Sequence, residues 1–269
     1  MIVLVNNNHA IKETPFNNLC HLSTLIAIEN VCTYCIWQLI FAIFQFSRVS
    51  RLSPASISPK VVKCWSKPGA TFYDLYDTID NEFINAQTST RHTKKPLIYI
   101  IAGICNTTQI VRGRINGAKH EELIVKVDQA ENCISDTMSA IEDLQNFVIR
   151  HEAIPIFSTI YPSSLTDWNH KRLNQGKTCI LRFADQYPEM QETLEHQIES
   201  VNQYIIETNR KLNLKTPQIH KCMHHNRGPN RANKFNYTML IDGCHPSNSL
   251  INKTHQCLKR NISLNATSD

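Results

Sequence analysis

Glycine is scarce in this chain. Seven glycines and eleven prolines in 269 residues rule out collagen-like and low-complexity architectures. Charge of one sign is lacking too: the formal balance is +5, and the basic residues come as isolated pairs (Lys94-Lys95, Lys171-Arg172, Lys259-Arg260) instead of a stripe. A solvated surface fits that pattern, and no nucleic-acid partner is expected, because a phosphate-tracking face needs clustered cations. The phosphate-binding patterns Gly-x-x-x-x-Gly-Lys-Ser/Thr and Gly-x-Gly-x-x-Gly are absent, as is Gly-x-Ser-x-Gly. Nucleotide binding and the nucleophile-elbow hydrolases are thereby set aside. The first ten residues, MIVLVNNNHA, lack the pattern of a signal peptide, so an intracellular location is the expectation.

Ten cysteines are spaced irregularly, and a chain of this length buries enough apolar surface not to need disulfides. Reduced, mostly buried thiols are expected. Sequons at Asn106, Asn236, Asn252, Asn261 and Asn265 point the other way, but arise readily in a chain rich in Asn, Ser and Thr. His220, Cys222, His224 and His225, with Cys244, are zinc-ligand types at a spacing that matches no common site, and no metal is expected. Cys32-x-x-Cys35 lies in an apolar segment without a redox βαβ pattern.

The longest uncharged run, residues 31–46 (VCTYCIWQLIFAIFQF), is shorter than the roughly 20 residues of a spanning helix. A buried strand or helix is favoured over a membrane segment. Residues 37–46 are apolar enough for a central strand, and residues 61–65 form a second strand candidate. Thr71 and Asp74 have capping-box spacing ahead of Phe72, Leu75, Ile79 and Phe83 at helical spacing. Pro96 opens LIYIIAG, the strongest strand signal. A long amphipathic helix runs from Asp128 through Val148, and residues 153–160 are a further strand. A polar loop is expected over residues 161–186. A helix follows from Pro188, then a short strand at residues 238–241 and a last helix opened by Pro246. Alternating strands and helices predict a parallel sheet covered on both faces, with the site at the carboxyl ends of the strands. The first 35 residues read as an N-terminal segment, residues 36–264 as the domain and residues 265–269 as a tail.

The sharpest local signal is DGCHP, residues 242–246, between a strand candidate and a helix. A carboxylate three residues before a histidine can fix the imidazole tautomer and leave the other ring nitrogen as a base. The alternative is a polar loop in which Asp242 only caps a turn.

Asp-x-x-His before a final helix resembles the last conserved block of the SGNH (GDSL-type) hydrolases. Three earlier stretches resemble their other blocks in order. KPGATFYDL (67–75) looks like the second block, with Gly69 as the oxyanion-hole glycine. IYIIAGICN (98–106) looks like the strand ending in Gly-x-Asn-Asp. STIYPSSLTDWN (158–169) is similar to the fourth strand and following loop of animal members. The resemblance implies a three-layer, flavodoxin-like α/β fold with a central parallel sheet and an esterase chemistry without cofactors. Ser47 would be nucleophile, His245 base and Asp242 its orienting partner, with Gly69 and Asn106 as oxyanion donors and a small ester as substrate.

The departures are equally specific. No Gly-Asp-Ser occurs; Gln45-Phe46 precede Ser47, which reads equally as an ordinary surface serine. Cys105 stands where the family has its oxyanion Asn, and Asn106 where it has Asp. A catalytically inactive module that binds an unknown ligand is the competing expectation.

Overall fold

The computed structural model describes residues 2–5, 61–65, 70–76, 79–80, 97–126, 130–224 and 234–266. Residues 37–46, expected to form a central strand, lie outside them, as does the rest of the 31–46 segment. No helix among the described residues is long and apolar enough to cross a membrane.

The main sheet has four strands: β1 (Ile2–Val5), β2 (Val61–Trp65), β3 (Leu97–Ile100) and β6 (Ile154–Phe157), in the order β2-β1-β3-β6. β3 and β6 are parallel, with Leu97 opposite Ile154 and Ile100 opposite Phe157. β1 runs antiparallel to both of its neighbours. Ile2–Val5 thus sits inside the sheet, although the sequence reading set it apart from the domain. IVLV is too short for a period to show, and its register comes entirely from its two neighbours.

Side-chain alternation along β3 and β6 builds two cores. Ile98, Ile100 and Phe157 face one side, where they meet helices α2 (Ala130–Arg150) and α4 (Tyr187–Lys211) through Ile141, Leu144, Val148, Leu194, Ile198, Val201 and Ile205. Leu97, Tyr99 and Ile156 face the other side, against Leu258 and Ile262 of helix α5 (Asn248–Ala266) and Ile219 of the 3-10 turn Ile219–Met223. Helix, sheet, helix makes three layers, as expected from the alternating pattern. All four residues of β3 are buried because both faces are covered, which is why LIYI reads as an unbroken apolar run.

One element falls in a stretch for which the sequence predicts nothing, and two differ from expectation. A hairpin of β4 (Thr108–Ile115) and β5 (Ala118–Val125) follows α1, the single helical turn Ile104–Thr107. Its signal was the dipeptide Asn116-Gly117, with φ of 50° and 82°, the two positive values that a tight two-residue hairpin requires. Inside the expected polar loop lies helix α3 (Leu165–Asn174), capped by the Ser164 hydroxyl, which accepts the Asp167 N–H. Ser164-x-x-Asp167 was the overlooked start signal. Finally, residues 238–241 are not a strand: Tyr237–Met239 is a 3-10 turn, and Leu240 makes only an isolated bridge to Pro246.

Buried asparagine amides tie helices to the main chain. Asn209 accepts the Phe157 N–H (3.1 Å) and donates to its carbonyl (2.7 Å), and Asn202 does the same to Ile160 (2.6 and 2.7 Å). Ser158 N–H points back to Ile100 of β3, so Phe157 presents its polar groups on the outer edge of β6, which Asn209 closes. Asn169 pairs likewise with Leu123 of β5, and Asn265 with Lys215. Asn106, Asn261 and Asn265 are all buried, so three of the five sequons are not presented to solvent in the fold.

Glu122, fully buried, anchors the hairpin. Burial alone would raise its carboxyl, but the Tyr187 hydroxyl, the His120 ring and the Arg182 and Phe183 amides hold it below the usual value. Gln197 of α4 is the contrasting case: its side chain is buried, and neither amide atom has a hydrogen-bond partner among the described residues. An unsatisfied buried amide costs about 1–3 kcal/mol. Gln197→Met, of similar shape, is expected to raise unfolding stability by about 1–2 kcal/mol in urea titration. A loss of stability instead would show that the amide is hydrogen-bonded in solution.

Candidate active site

The loop from Ile241 to His245 is closed on itself by a hydrogen bond from Ile241 N–H to the His245 carbonyl (2.7 Å). Within it the Asp242 carboxylate is fully used. Oδ1 accepts the His245 N–H (2.8 Å) and the Cys244 N–H (3.2 Å), and Oδ2 accepts from His245 Nδ1 at 2.6 Å. Burial would raise the Asp242 carboxyl, but the His245 ring and these two amides hold it below the ordinary value. The carboxylate is therefore the acceptor and Nδ1 carries the proton, which assigns the basic role to Nε2. His245 is buried, with 7% of its surface exposed. The spacing of three residues was legible in the sequence; the two amide bonds that fix the carboxylate were not.

Gly243 positions this loop. Its φ is +81°, and a Cβ there would lie 2.5 Å from both the Ser164 carbonyl oxygen and the Trp168 nitrogen. The Gly243 carbonyl accepts the Ser164 N–H at 2.6 Å, and Cys244 Sγ lies 3.0 Å from Ser163 Oγ. The histidine loop is thus seated on the segment that follows β6 and opens α3. Helix α5 begins at Asn248, later than the proline suggested, with the Ser247 hydroxyl accepting the Leu250 N–H (3.3 Å).

A second cluster forms at the end of β3. Gly103, with φ of +125°, packs so closely that a Cβ would sit 2.1 Å from Ile160 Cδ1 and 3.1 Å from Phe72. Asn106, on the helical turn after Gly103, accepts the Phe72 N–H through Oδ1 at 3.1 Å. That bond orients the amide and turns its NH2 to the opposite side. Phe72 belongs to the KPGATFYDL stretch, where the expected capping box is present: Thr71 N–H donates to Asp74 (2.8 Å) and Asp74 N–H to the Thr71 hydroxyl (3.3 Å). Cys105 is partly buried, and desolvation pushes its thiol up to about 11.

Asn106 with Phe72 thus follows β3, while the loop of Asp242 and His245 is seated on the segment that follows β6. In that segment Ile160 packs against Gly103, and Ser163 and Ser164 contact the histidine loop. Ser47 and Gly69 lie outside the described residues. Ser163 and Ser164, which seat the histidine loop, were not singled out from sequence; Ser164 was visible only as a helix cap. Among the described residues no group of His, Cys, Asp and Glu could hold a metal ion.

No family model matches the chain, and no curated protein matches it. Among solved structures it is similar to a GDSL-like lipase from Bacteroides thetaiotaomicron, at 14% identity and a TM-score of 0.43, over 74% of this chain and 72% of that one. It is also similar to a candidate acylhydrolase from Bacteroides fragilis, at 16% identity and a TM-score of 0.44, over 74% and 71%.

The depressed Asp242 carboxyl has a consequence for folding. A carboxyl lowered in the folded state contributes stability above its unfolded value of about 3.9, and that contribution is lost as pH falls through the folded value. Between about pH 6 and pH 3, wild type is expected to lose more stability than Asp242→Asn, by urea titration at each pH. Glu122 acts in both proteins and cancels from the comparison. Parallel pH curves would remove the stabilising role of the pair.

Proposed function

We propose that the chain is an SGNH-like hydrolase of small esters, in which Asp242 orients His245 as general base. The observation that carries this reading is the 2.6 Å bond between Asp242 Oδ2 and His245 Nδ1, in a loop seated on the segment that follows β6. A histidine held through Nδ1 by a carboxylate is built to take a proton on Nε2. In this proposal Ser47 supplies that proton as its Oγ attacks the ester carbonyl. The Gly69 N–H and the Asn106 NH2 stabilise the oxyanion, and the departing alkoxide recovers the proton. Water then repeats the sequence on the acyl-serine, releasing the acid and restoring Ser47. No cofactor enters this scheme.

Weak turnover is part of the proposal. Cys105, in the place of the family's donor Asn, has its thiol pushed up to about 11, and a neutral thiol is a poor donor. The donor in this scheme is Asn106, one residue along, and complete loss of a donor, about 2.7–4 kcal/mol of transition-state stabilisation, bounds the deficit. That same observation favours the second reading, a binding module with the histidine dyad intact but no competent nucleophile.

A fluorophosphonate probe separates the two readings without requiring turnover. The serine oxygen forms a bond to phosphorus, fluoride leaves, and His245 takes the proton. The expected result is one adduct, mapped by mass spectrometry to Ser47 and lost in His245→Ala. Labelling of another serine, or labelling unchanged in His245→Ala, would reject the assignment of Ser47.

A further inference from the structure

One side chain of helix α4 reaches both the seat of the histidine loop and its entry. Gln191 Oε1 accepts the Leu165 N–H at 3.0 Å, and Nε2 donates to the Ser163 carbonyl at 3.0 Å. These are the two neighbours of Ser164, whose N–H donates to the Gly243 carbonyl at 2.6 Å. Leu165 opens α3, so the Gln191 oxygen also satisfies one of the amides that a helix leaves unpaired at its start. Nε2 donates as well to the Tyr237 hydroxyl at 2.6 Å, and that hydroxyl donates to Glu195 Oε1 at 2.6 Å. Glu195, four residues on along α4, lies 3.4 Å from the same nitrogen. Burial and the Glu195 carboxylate push the Tyr237 hydroxyl above its usual value, which keeps it a donor to Glu195 and an acceptor for Gln191. Tyr237 begins the 3-10 turn that leads into the loop, and its carbonyl accepts the Leu240 N–H at 2.9 Å.

We propose that Gln191 is a positioning residue of the general base, clamping the seat of the histidine loop at Ser163 and Leu165 to its entry at Tyr237. This role rests on the reading of His245 as base and holds whichever serine is the nucleophile. Asp242 fixes the ring within the loop, and Gln191 fixes the loop on the segment after β6. With the clamp removed, Ser163 and Leu165 lose their tie to α4. The Gly243 bond to Ser164 and the Cys244 contact with Ser163 then rest on a segment that can shift. Displacing a base by about 1 Å can cost about 100-fold in rate. Asn209 of the same helix supplies the contrast, since it clasps main chain in the same manner but its partners are Phe157 and Thr216.

The test compares full-length wild type, Gln191→Met and Asn209→Leu by amide hydrogen exchange and by the rate of fluorophosphonate labelling. In Gln191→Met the Ser164 and His245 amides are expected to exchange at least about 10-fold faster, while the β3 amides keep their wild-type rates. Labelling is expected to slow by at least about 10-fold in the same variant. Asn209→Leu should speed exchange at Phe157 without that selective effect on the loop. If Gln191→Met does not fold, Tyr237→Phe decides: it cuts only the tie to the loop's entry, and the His245 amide should exchange faster in it while β3 does not. Unchanged exchange at Ser164 and His245, acceleration spread equally over β3, or labelling of Gln191→Met as fast as wild type would each overturn the proposal. A wild type that takes no label counts against the hydrolase reading alone, because the exchange pattern then decides the clamp.

Discussion

Replacing Gly243 with alanine is expected to lower unfolding stability by about 2–5 kcal/mol and to unseat the histidine loop. Two costs combine. A non-glycine residue in the left-handed region costs roughly 1–2 kcal/mol. Overpacking adds about 1–3 kcal/mol where the neighbours cannot yield. Here the neighbours at 2.5 Å are main-chain atoms, the Ser164 oxygen and the Trp168 nitrogen at the start of α3, and not the ends of flexible side chains. The strain falls on the contact through which Gly243 accepts the Ser164 N–H. Urea denaturation gives the stability change, and the His245 ring resonances report whether the Asp242 pairing survives. A loss below 1 kcal/mol with unchanged resonances would mean that the loop is not held by α3 as described. By contrast, Gly117 has open space around it, so alanine there meets only the backbone cost.

What the sequence disclosed follows from how local each feature is. The capping box at Thr71 and Asp74, the buried run of β3, and the apolar faces of α2 and α4 depend on residues within a turn or two of each other. The three-layer α/β arrangement and the parallel pairing of β3 with β6 follow from their alternation. The entry of Ile2–Val5 into the sheet was not legible, because four apolar residues carry no statement of which strands flank them. The hairpin was legible in Asn116-Gly117, in a stretch given no element, and α3 in Ser164 and Asp167, inside the expected polar loop. In the site, Asp242 and His245 were legible as a pair because a short loop forces them together. That Asn106 clasps the Phe72 amide could not be read, since 34 residues separate them.

The proposed chemistry has the largest effect to measure. Removing the general base of a serine hydrolase leaves only oxyanion and binding contributions, and triad deletions cost several orders of magnitude in rate. With the proposed donor moved from the place of Cys105 to Asn106, the wild-type rate is expected to begin up to about 10²–10³ below that of a fully equipped site. The decisive measurement is hydrolysis of a short-chain activated ester by purified wild type, Ser47→Ala and His245→Ala, each confirmed folded by circular dichroism. The account predicts slow but measurable wild-type turnover, falling at least about 100-fold in both variants. Equal rates in all three proteins would contradict the hydrolase and leave the binding module.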